Sequence, residues 1–501
     1  MFEPPRRRSA ATTIKGTGAA DETPLPGKLV DDLQINLIGR KNIGREIYHQ
    51  LLQAIQEGRL ESGTRLPPTR ELARRLKVAR TTVAVAYERL VSEGLLESRI
   101  GAGTFVKRGV VSATTDAGNL DSPLVPKEAW VGFPTSYVRK LFAGRFEFDF
   151  RTGIPDDAAF PYARWRRLMA RQMRASNALR GYGDPAGHPG LRAAIARHIS
   201  LSRGMQIDPE EVTVTNGAQQ ALDLIAKVLI ERGDRVVVED PGYPPAWLLF
   251  RSVGARVEPI PVDDEGLVVR ALPPDTRLVY VTPSHQFPIG VTMSLERRSS
   301  LLEWARQTNA AIVEDDYDGE FRFGNRPLES LRALDPNGQV IYVGSFSKAT
   351  LPSLRIGFVI SPNSLTSAIR AAKHLSDWYT MWAVQGALAD FIEEGWFARH
   401  LRRMRREYEE RHNAILAGLD KHFQSLLKVT NSAVGLHVCA TATELSPSDL
   451  HRVVTSAKEV GVDELAQYSA GQPVPGLLFG YGAIPTERID EGLRRLRKSF
   501  V

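Results

Sequence analysis

Several short apolar runs in this chain lack the polar alternation of a half-exposed strand: residues 236–238, 278–281, 311–313, 340–343 and 356–360. Strands of that kind are buried on both faces, as in a parallel sheet covered by helices. From about residue 146, where Phe146-Glu147-Phe148-Asp149-Phe150 opens regular structure, such runs alternate with helical stretches. The expected architecture is α/β, with a mainly parallel sheet and ligands held outside the carboxyl ends of its strands.

The first fifth of the chain has a different pattern. Ile47, Leu51, Leu52 and Ile55 recur at helical spacing over residues 43–60, and Gly58 marks the end of that helix. Pro67-Pro68 stops the chain, Thr69 can cap a second helix, and Glu71 suits the positive end of that helix. After a tight turn at Lys77-Val78-Ala79, a third helix from Arg80 to about Ser92 turns Val83, Ala86, Tyr87 and Leu90 inward. Helix, short turn, helix is the geometry that places a second helix in the DNA major groove. Residues 95–100 and Thr104-Phe105-Val106, joined through Gly101-Ala102-Gly103, read as a hairpin wing. Between the two patterns lies a linker over 109–145, with a short helix near 136–142. Residues 1–40 read as a disordered basic tail.

Charge sharpens this division. Residues 1–108 hold 19 Lys and Arg against 12 Asp and Glu, so they carry the whole formal net charge of +7. The remainder is balanced. An excess confined to the first fifth of the chain points to a polyanion partner for the N-terminal part, which beside the helix pair reads as double-stranded DNA. A chain of 501 residues exceeds one ordinary core, and 43% apolar with 25% charged residues is a globular composition. No apolar run approaches the roughly 20 residues a membrane helix needs. The single cysteine, Cys439, excludes an internal disulfide and fits a reducing cytoplasm.

The chemistry gathers at the strand ends. The run 340–343 leads into Gly344-Ser345-Phe346-Ser347-Lys348, with Arg355 close downstream. A lysine amine can join an aldehyde; hydroxyls and an arginine beside it suit a phosphate. Pyridoxal phosphate needs both. Asp315, after the run 311–313, is the candidate carboxylate for a pyridine nitrogen. Tyr317 lies two residues on, on the same side of an extended segment, as a donor to the ring's 3-oxygen. Tyr243 can stack on the ring face. Gly217-Ala218-Gln219 opens a helix whose N–H groups can hold the phosphate. The pattern suggests no metal ligands.

Two resemblances join these readings. Leu66-Pro67, Arg70, Leu72-Ala73, Arg80-Thr81-Thr82-Val83 and Gly101-Ala102-Gly103-Thr104-Phe105-Val106 resemble the winged helix of GntR-type bacterial regulators. That likeness implies that Arg70, Arg80, Thr81, Thr82 and Gly103 meet DNA. Ala79 stands where such regulators usually have a serine. Residues 146–501 resemble fold-type I aminotransferases, with a smaller α+β subdomain at the C-terminus. The most specific pieces are Thr282-Pro283-Ser284-His285-Gln286-Phe287-Pro288, Glu314-Asp315-Asp316-Tyr317-Asp318 and Ser345-Phe346-Ser347-Lys348 with Arg355. The pair of domains is similar to MocR-type regulators. The resemblance implies an internal aldimine at Lys348 as the reacting residue. It implies phosphate binding by Ser345, Ser347 and Arg355. Through Tyr182, which matches a tyrosine reaching the neighbouring subunit's phosphate, it implies a domain-swapped homodimer.

Aminotransferases usually hold a substrate carboxylate with an arginine near the C-terminus. Here the corresponding run, Leu477-Leu478-Phe479-Gly480-Tyr481-Gly482-Ala483, has none. Losing a bidentate clamp disfavours turnover of ordinary α-amino acids. The expected function is therefore a transcriptional regulator on the bacterial nucleoid that senses pyridoxal phosphate or a small amino compound at Lys348. A residual transaminase half-reaction stays open. The alternative is an active aminotransferase with an accessory DNA-binding domain.

Overall fold

Pro68 keeps the chain extended, with φ −54° and ψ 143°, and a helix begins at the next residue. The computed structural model describes residues 35, 37, 42–107, 124–127, 130–131, 146–177, 179–323, 329–430 and 434–500. The chain divides into two units, Met1–Val125 and Pro126–Val501. Apart from Ile35 and Leu37, the tail expected over 1–40 falls outside the described residues, as does the linker helix near 136–142.

In the first unit, helices α1 (Ile43–Gln56), α2 (Thr69–Leu76) and α3 (Arg80–Ser92) precede the hairpin β1 (Leu96–Arg99) and β2 (Gly103–Val106). The wing pairs antiparallel, Leu96 opposite Val106 and Arg99 opposite Gly103. Val83, Ala86, Tyr87 and Leu90 are buried against Ile47, Leu51, Ile55 and Leu72. Full burial of an aliphatic side chain contributes about 1.5–3 kcal/mol, so this small unit rests on few such anchors. Two details differ from expectation. Thr69 is the first helical residue rather than a cap, because Pro68 occupies the capping position. The first helix stops at Gln56, two residues before Gly58 takes the left-handed conformation with φ 73°.

The second unit opens with β3 (Phe148–Asp149). The chain then supplies the strands of one eight-stranded sheet: β4 (Val212–Thr215), β5 (Arg235–Asp240), β6 (Arg256–Asp263), β7 (Gly266–Leu267), β8 (Thr276–Val281), β9 (Ala311–Asp316), β10 (Val340–Ser345) and β11 (Gly357–Ile360). Their order is β4-β11-β10-β9-β8-β5-β6-β7. Alternate residues of single strands feed opposite cores. Val236 and Val238 pack with Leu222, Ile225 and Phe250, whereas Val237 packs with Val279, Ile312 and Leu301. Both faces are thus covered, which explains the missing polar alternation.

The sheet is mainly parallel, as expected, with two exceptions: β7 pairs antiparallel with β6, and β11 is the other. β11 runs antiparallel to both β10 and β4. The turn between β10 and β11 therefore leaves and re-enters the sheet at the same rim. Gly357 pairs with Thr215 in β4, which sets Arg355 beside Asn216 and Gly217. The smaller C-terminal part pairs β12 (Leu427–Val429), β13 (His437–Ala442), β15 (Asp463–Glu464) and β16 (Gly476–Gly480) in the order β12-β13-β16-β15; β14 (Val460–Gly461) instead pairs parallel with β3. No described helix is long and apolar enough to cross a membrane.

Candidate functional site

Lys348 follows the carboxyl end of β10, and its Nζ donates to the Gly153 carbonyl at 2.7 Å. Around it lies a cavity of about 260 Å³ whose walls include Ala218, Gln219, Tyr243, Asp315, Tyr317, Ser345, Ser347 and Arg355. Eight residues proposed from the sequence thus meet Lys348 at one rim. Gly217 adjoins them: an added Cβ there would lie 2.6 Å from an Arg355 nitrogen. Gly217 has φ 76° and precedes the helix Ala218–Leu229, whose first residues, Ala218 and Gln219, line the cavity and carry amides without helical partners. Ser347 N–H and Ser345 Oγ are 3.1 Å apart, and the two hydroxyls 3.0 Å.

Tyr182 is placed elsewhere. It is 75% exposed, outside the cavity of its own chain, and its ring lies 4.4 Å from that of Trp378.

The donors fit pyridoxal phosphate. Asp315 Oδ2 accepts from the Tyr280 hydroxyl at 2.8 Å, while its buried Oδ1 has no hydrogen-bond partner among the described residues. That leaves one oxygen for a pyridine N–H. Burial raises the Asp315 carboxyl to about 7, against the Tyr280 hydrogen bond. A positive partner on Oδ1 would return it to the ionised form. Tyr317 Oη stands 2.9 Å from His285 Nδ1, which is itself 2.9 Å from Asp318 Oδ2. The phenol is thereby held in place at the cavity wall.

Loss of water around the Lys348 amine lowers its pKa to about 8, which Asp318 partly opposes. Only the free base attacks an aldehyde. Attachment of pyridoxal phosphate to the apoprotein is therefore expected to accelerate about tenfold per pH unit up to about pH 8 and to level off above it. Stopped-flow absorbance checks this; a rise continuing to about pH 10 would mark an ordinary, solvated lysine.

Other lining residues escaped the sequence reading. Arg151, Thr152 and Gly153 follow β3, while His437, Asp463, Gln467 and Tyr468 come from the C-terminal part. The strand-then-glycine pattern after Phe150 was a usable signal for the first group. Asp463 carries no local signal, because its place depends on pairing between β15 and β16. The stretch after β16 also behaves differently from a carboxylate clamp. Tyr481 is buried with its hydroxyl donating to Gly435 O at 2.6 Å, and Arg411 is spent on Gly482 O and Asp156, both at 2.6 Å.

In the first unit Arg70, Arg80 and Thr81 are exposed and Thr82 is half-buried. Arg80 Nε reaches only the Thr69 hydroxyl, at 3.4 Å, and Arg70 has no ion pair among the described residues. By contrast Arg75 is tied to Glu71 and Arg99 to Glu97. Ala79 precedes α3 with no side-chain cap, and the first turn of α3 has no acid. Gly103 takes φ 116° in the wing, a conformation that favours glycine, with the Arg65 side chain against it.

Known proteins match both units. The family model "Bacterial regulatory proteins, gntR family" matches residues 43–106, and "Aminotransferase class I and II" matches 148–470. The chain is 38% identical to the probable rhizopine catabolism regulatory protein MocR of Rhizobium meliloti, over 91% of this chain and 93% of that one. It is 30% identical to the pyridoxine biosynthesis transcriptional regulator PdxR of Corynebacterium glutamicum, over 88% and 92%. The kynurenine aminotransferase of Pyrococcus horikoshii, solved in complex with PMP, superposes with a TM-score of 0.70 at 28% identity, covering 77% of this chain and 98% of its own. With the GntR helices at one end and the lysine-centred aminotransferase cavity in the other unit, the chain belongs to the MocR-type regulators of the GntR family.

Proposed function

We propose that this protein is a transcriptional regulator whose affinity for operator DNA responds to what occupies the cavity at Lys348. The observation that carries the reading is a cavity whose donors suit the cofactor, beside a run over residues 477–483 that contains no arginine for a carboxylate. Lys348, the free oxygen of Asp315 and the Arg355 corner lie in one cavity, yet the stretch after β16 offers no arginine to it. Bound there, pyridoxal phosphate supplies an aldehyde that a lysine amine captures and a ring that withdraws electrons.

Each residue then has a task. Gly217, Ala218, Gln219, Ser345, Ser347 and Arg355 hold the phosphate. Asp315 keeps the pyridine nitrogen protonated, Tyr317 donates to the 3-oxygen, and Tyr243 covers one face. Thr152 and Gly153 close the other side of the lysine. Arg70, Arg80, Thr81 and Thr82 address DNA, with Gly103 letting the wing approach the backbone. The functional particle is a cytoplasmic homodimer. Exposed Tyr182, Leu375, Trp378 and Met381 form an apolar face that a second copy would cover, bringing Tyr182 to the neighbouring phosphate. The effector must prefer one conformation of that dimer, because equal affinity for both would leave DNA binding unchanged.

The test is fluorescence anisotropy on the DNA beside the protein's own gene, with keto product assayed in the same samples. Operator affinity is expected to change about tenfold or more when cofactor and an amino compound are added, a coupling of ordinary allosteric size. Fast, complete conversion of the amine to its keto product, with operator affinity unmoved, would establish the aminotransferase reading instead.

A further inference from the structure

Behind Tyr317 stands a buried pair, His285 and Asp318. His285 Nδ1 lies 2.9 Å from Asp318 Oδ2 and 2.9 Å from the Tyr317 hydroxyl, and the side chains of the pair are 0% and 2% exposed. The imidazole and the Tyr317 phenol stack, 5.9 Å apart and 24° from parallel. Gly435, at φ 89°, brings backbone against the pair, where a Cβ would fall on His285 Cε1 and Asp318 Oδ2. Tyr317 and Asp318 both reach the cavity wall.

The surroundings decide where the protons lie. With hydrogen on Nε2 alone, His285 would turn a bare Nδ1 lone pair onto a carboxylate oxygen at hydrogen-bonding distance, which is repulsive. It would also bury an N–H without an acceptor, because Nε2 has no hydrogen-bond partner among the described residues. His437, with its ring 4.9 Å away, does not serve as one through Nε2, which is 2.9 Å from the Pro288 carbonyl. Nδ1 therefore carries hydrogen and donates to Asp318. A nitrogen that donates cannot accept, so the Tyr317 proton does not go to His285. Burial, with the charges of Asp318, Asp315 and Glu239, holds that phenol well above its usual range, so it stays a donor. Two acceptors compete for it: Asp318, which is within its reach and also faces Lys348 and Tyr481, and whatever oxygen enters the cavity.

We propose that His285 is a positioning residue for the cofactor: by occupying Asp318 it turns the Tyr317 O–H away from that carboxylate and onto the 3-oxygen of bound pyridoxal phosphate. The proposal rests on the cavity at Lys348 holding that cofactor, and deepens the reading by saying what aims one of its donors. A hydrogen bond to the 3-oxygen favours the anionic form of that oxygen. The bound chromophore then loses its proton at lower pH with His285 in place than without it.

Absorbance titration of the full-length protein loaded with pyridoxal phosphate reads this without any turnover. Tyr317→Phe removes the donor and is expected to raise the midpoint of the pH-dependent visible band by about one unit, the size of one hydrogen bond to a charged group. His285→Leu is expected to raise it nearly as far, since Asp318 then takes the Tyr317 proton. The double variant is expected to go no further than Tyr317→Phe alone, the non-additivity of residues acting in series. His285→Asn, whose amide nitrogen reaches the Nδ1 position, is expected to bring the midpoint back toward the wild-type value. If His285→Leu does not fold, His285→Gln, whose nitrogen reaches the Nε2 position instead, carries the same expectation. A midpoint unmoved by either single substitution would overturn the positioning role. So would a His285 shift that adds in full to that of Tyr317→Phe, which marks a direct effect of the imidazole on the cofactor. A protein that acquires no cofactor absorbance at all would overturn the reading of the cavity beneath it, and the positioning role with it.

Discussion

Lys348→Ala is expected to abolish covalent capture of pyridoxal phosphate completely while leaving the protein folded, two chains per particle by sedimentation, and able to bind operator DNA. Borohydride should fix the chromophore in the wild-type protein, at Lys348 by peptide mapping, and nothing in the variant. The argument is one of placement. Among the described residues the amine is the only lysine nitrogen in the cavity lining, and it donates to the Gly153 carbonyl. Truncation removes that contact, and the hydrogen-bond partner it leaves is a neutral backbone carbonyl rather than a charge. The core beneath is untouched: Phe346 and Ala349 are buried on either side of the lysine turn and keep it in place. Retention of the chromophore on another residue would move the sensing point. Loss of the folded dimer would make Lys348 a structural residue instead.

Arg80→Ala is expected to weaken operator binding at least about 30-fold while the cofactor spectrum stays unchanged. A bidentate contact to a base is worth about 1–3 kcal/mol, and a two-fold particle loses it twice. Arg80 suits that contact because it opens α3, is exposed, and among the described residues is engaged only by the Thr69 hydroxyl. Its loss leaves the core of the unit intact, which is built on Val83, Ala86, Tyr87 and Leu90. The comparison with nonspecific DNA decides the kind of contact. A fall confined to the operator marks base recognition, and an equal fall on all sequences marks a phosphate contact. Unchanged operator affinity would remove Arg80 from the interface.

The two substitutions divide the labour between the units. Each is expected to remove one function and leave the other. That outcome separates a regulator that reads its cofactor from an enzyme with a DNA-binding appendage: in the regulator, added amine alters operator affinity in the wild-type protein and has no effect in Lys348→Ala.

Much of this was legible in the chain because the relevant signals are local. Pro67-Pro68, the turn at Lys77-Val78-Ala79 and the buried spacing of Val83, Ala86, Tyr87 and Leu90 defined the helices of the first unit. Hydrogen bonding and capping act over a few residues. Unalternated runs announced strands buried on both faces, and the residues at their ends named the candidates that the fold gathers in one cavity. Strand direction was not legible. A run of Gly357-Phe358-Val359-Ile360 has the same composition whichever way it points, and only its pairing with Tyr342 and Thr213 shows that β11 is reversed. That reversal is what returns Arg355 to the lysine's rim. The far wall was equally hidden, since Thr152 and Asp463 are 311 residues apart and meet only through the C-terminal sheet. The sequence by itself determined the chemistry available at Lys348, Asp315 and Arg355, because side-chain type and strand-end position are local properties. Tertiary structure alone decided which residues form the wall facing them, because Thr152 and Asp463 lie in distant segments and meet through a hydrogen bond that no local pattern announces.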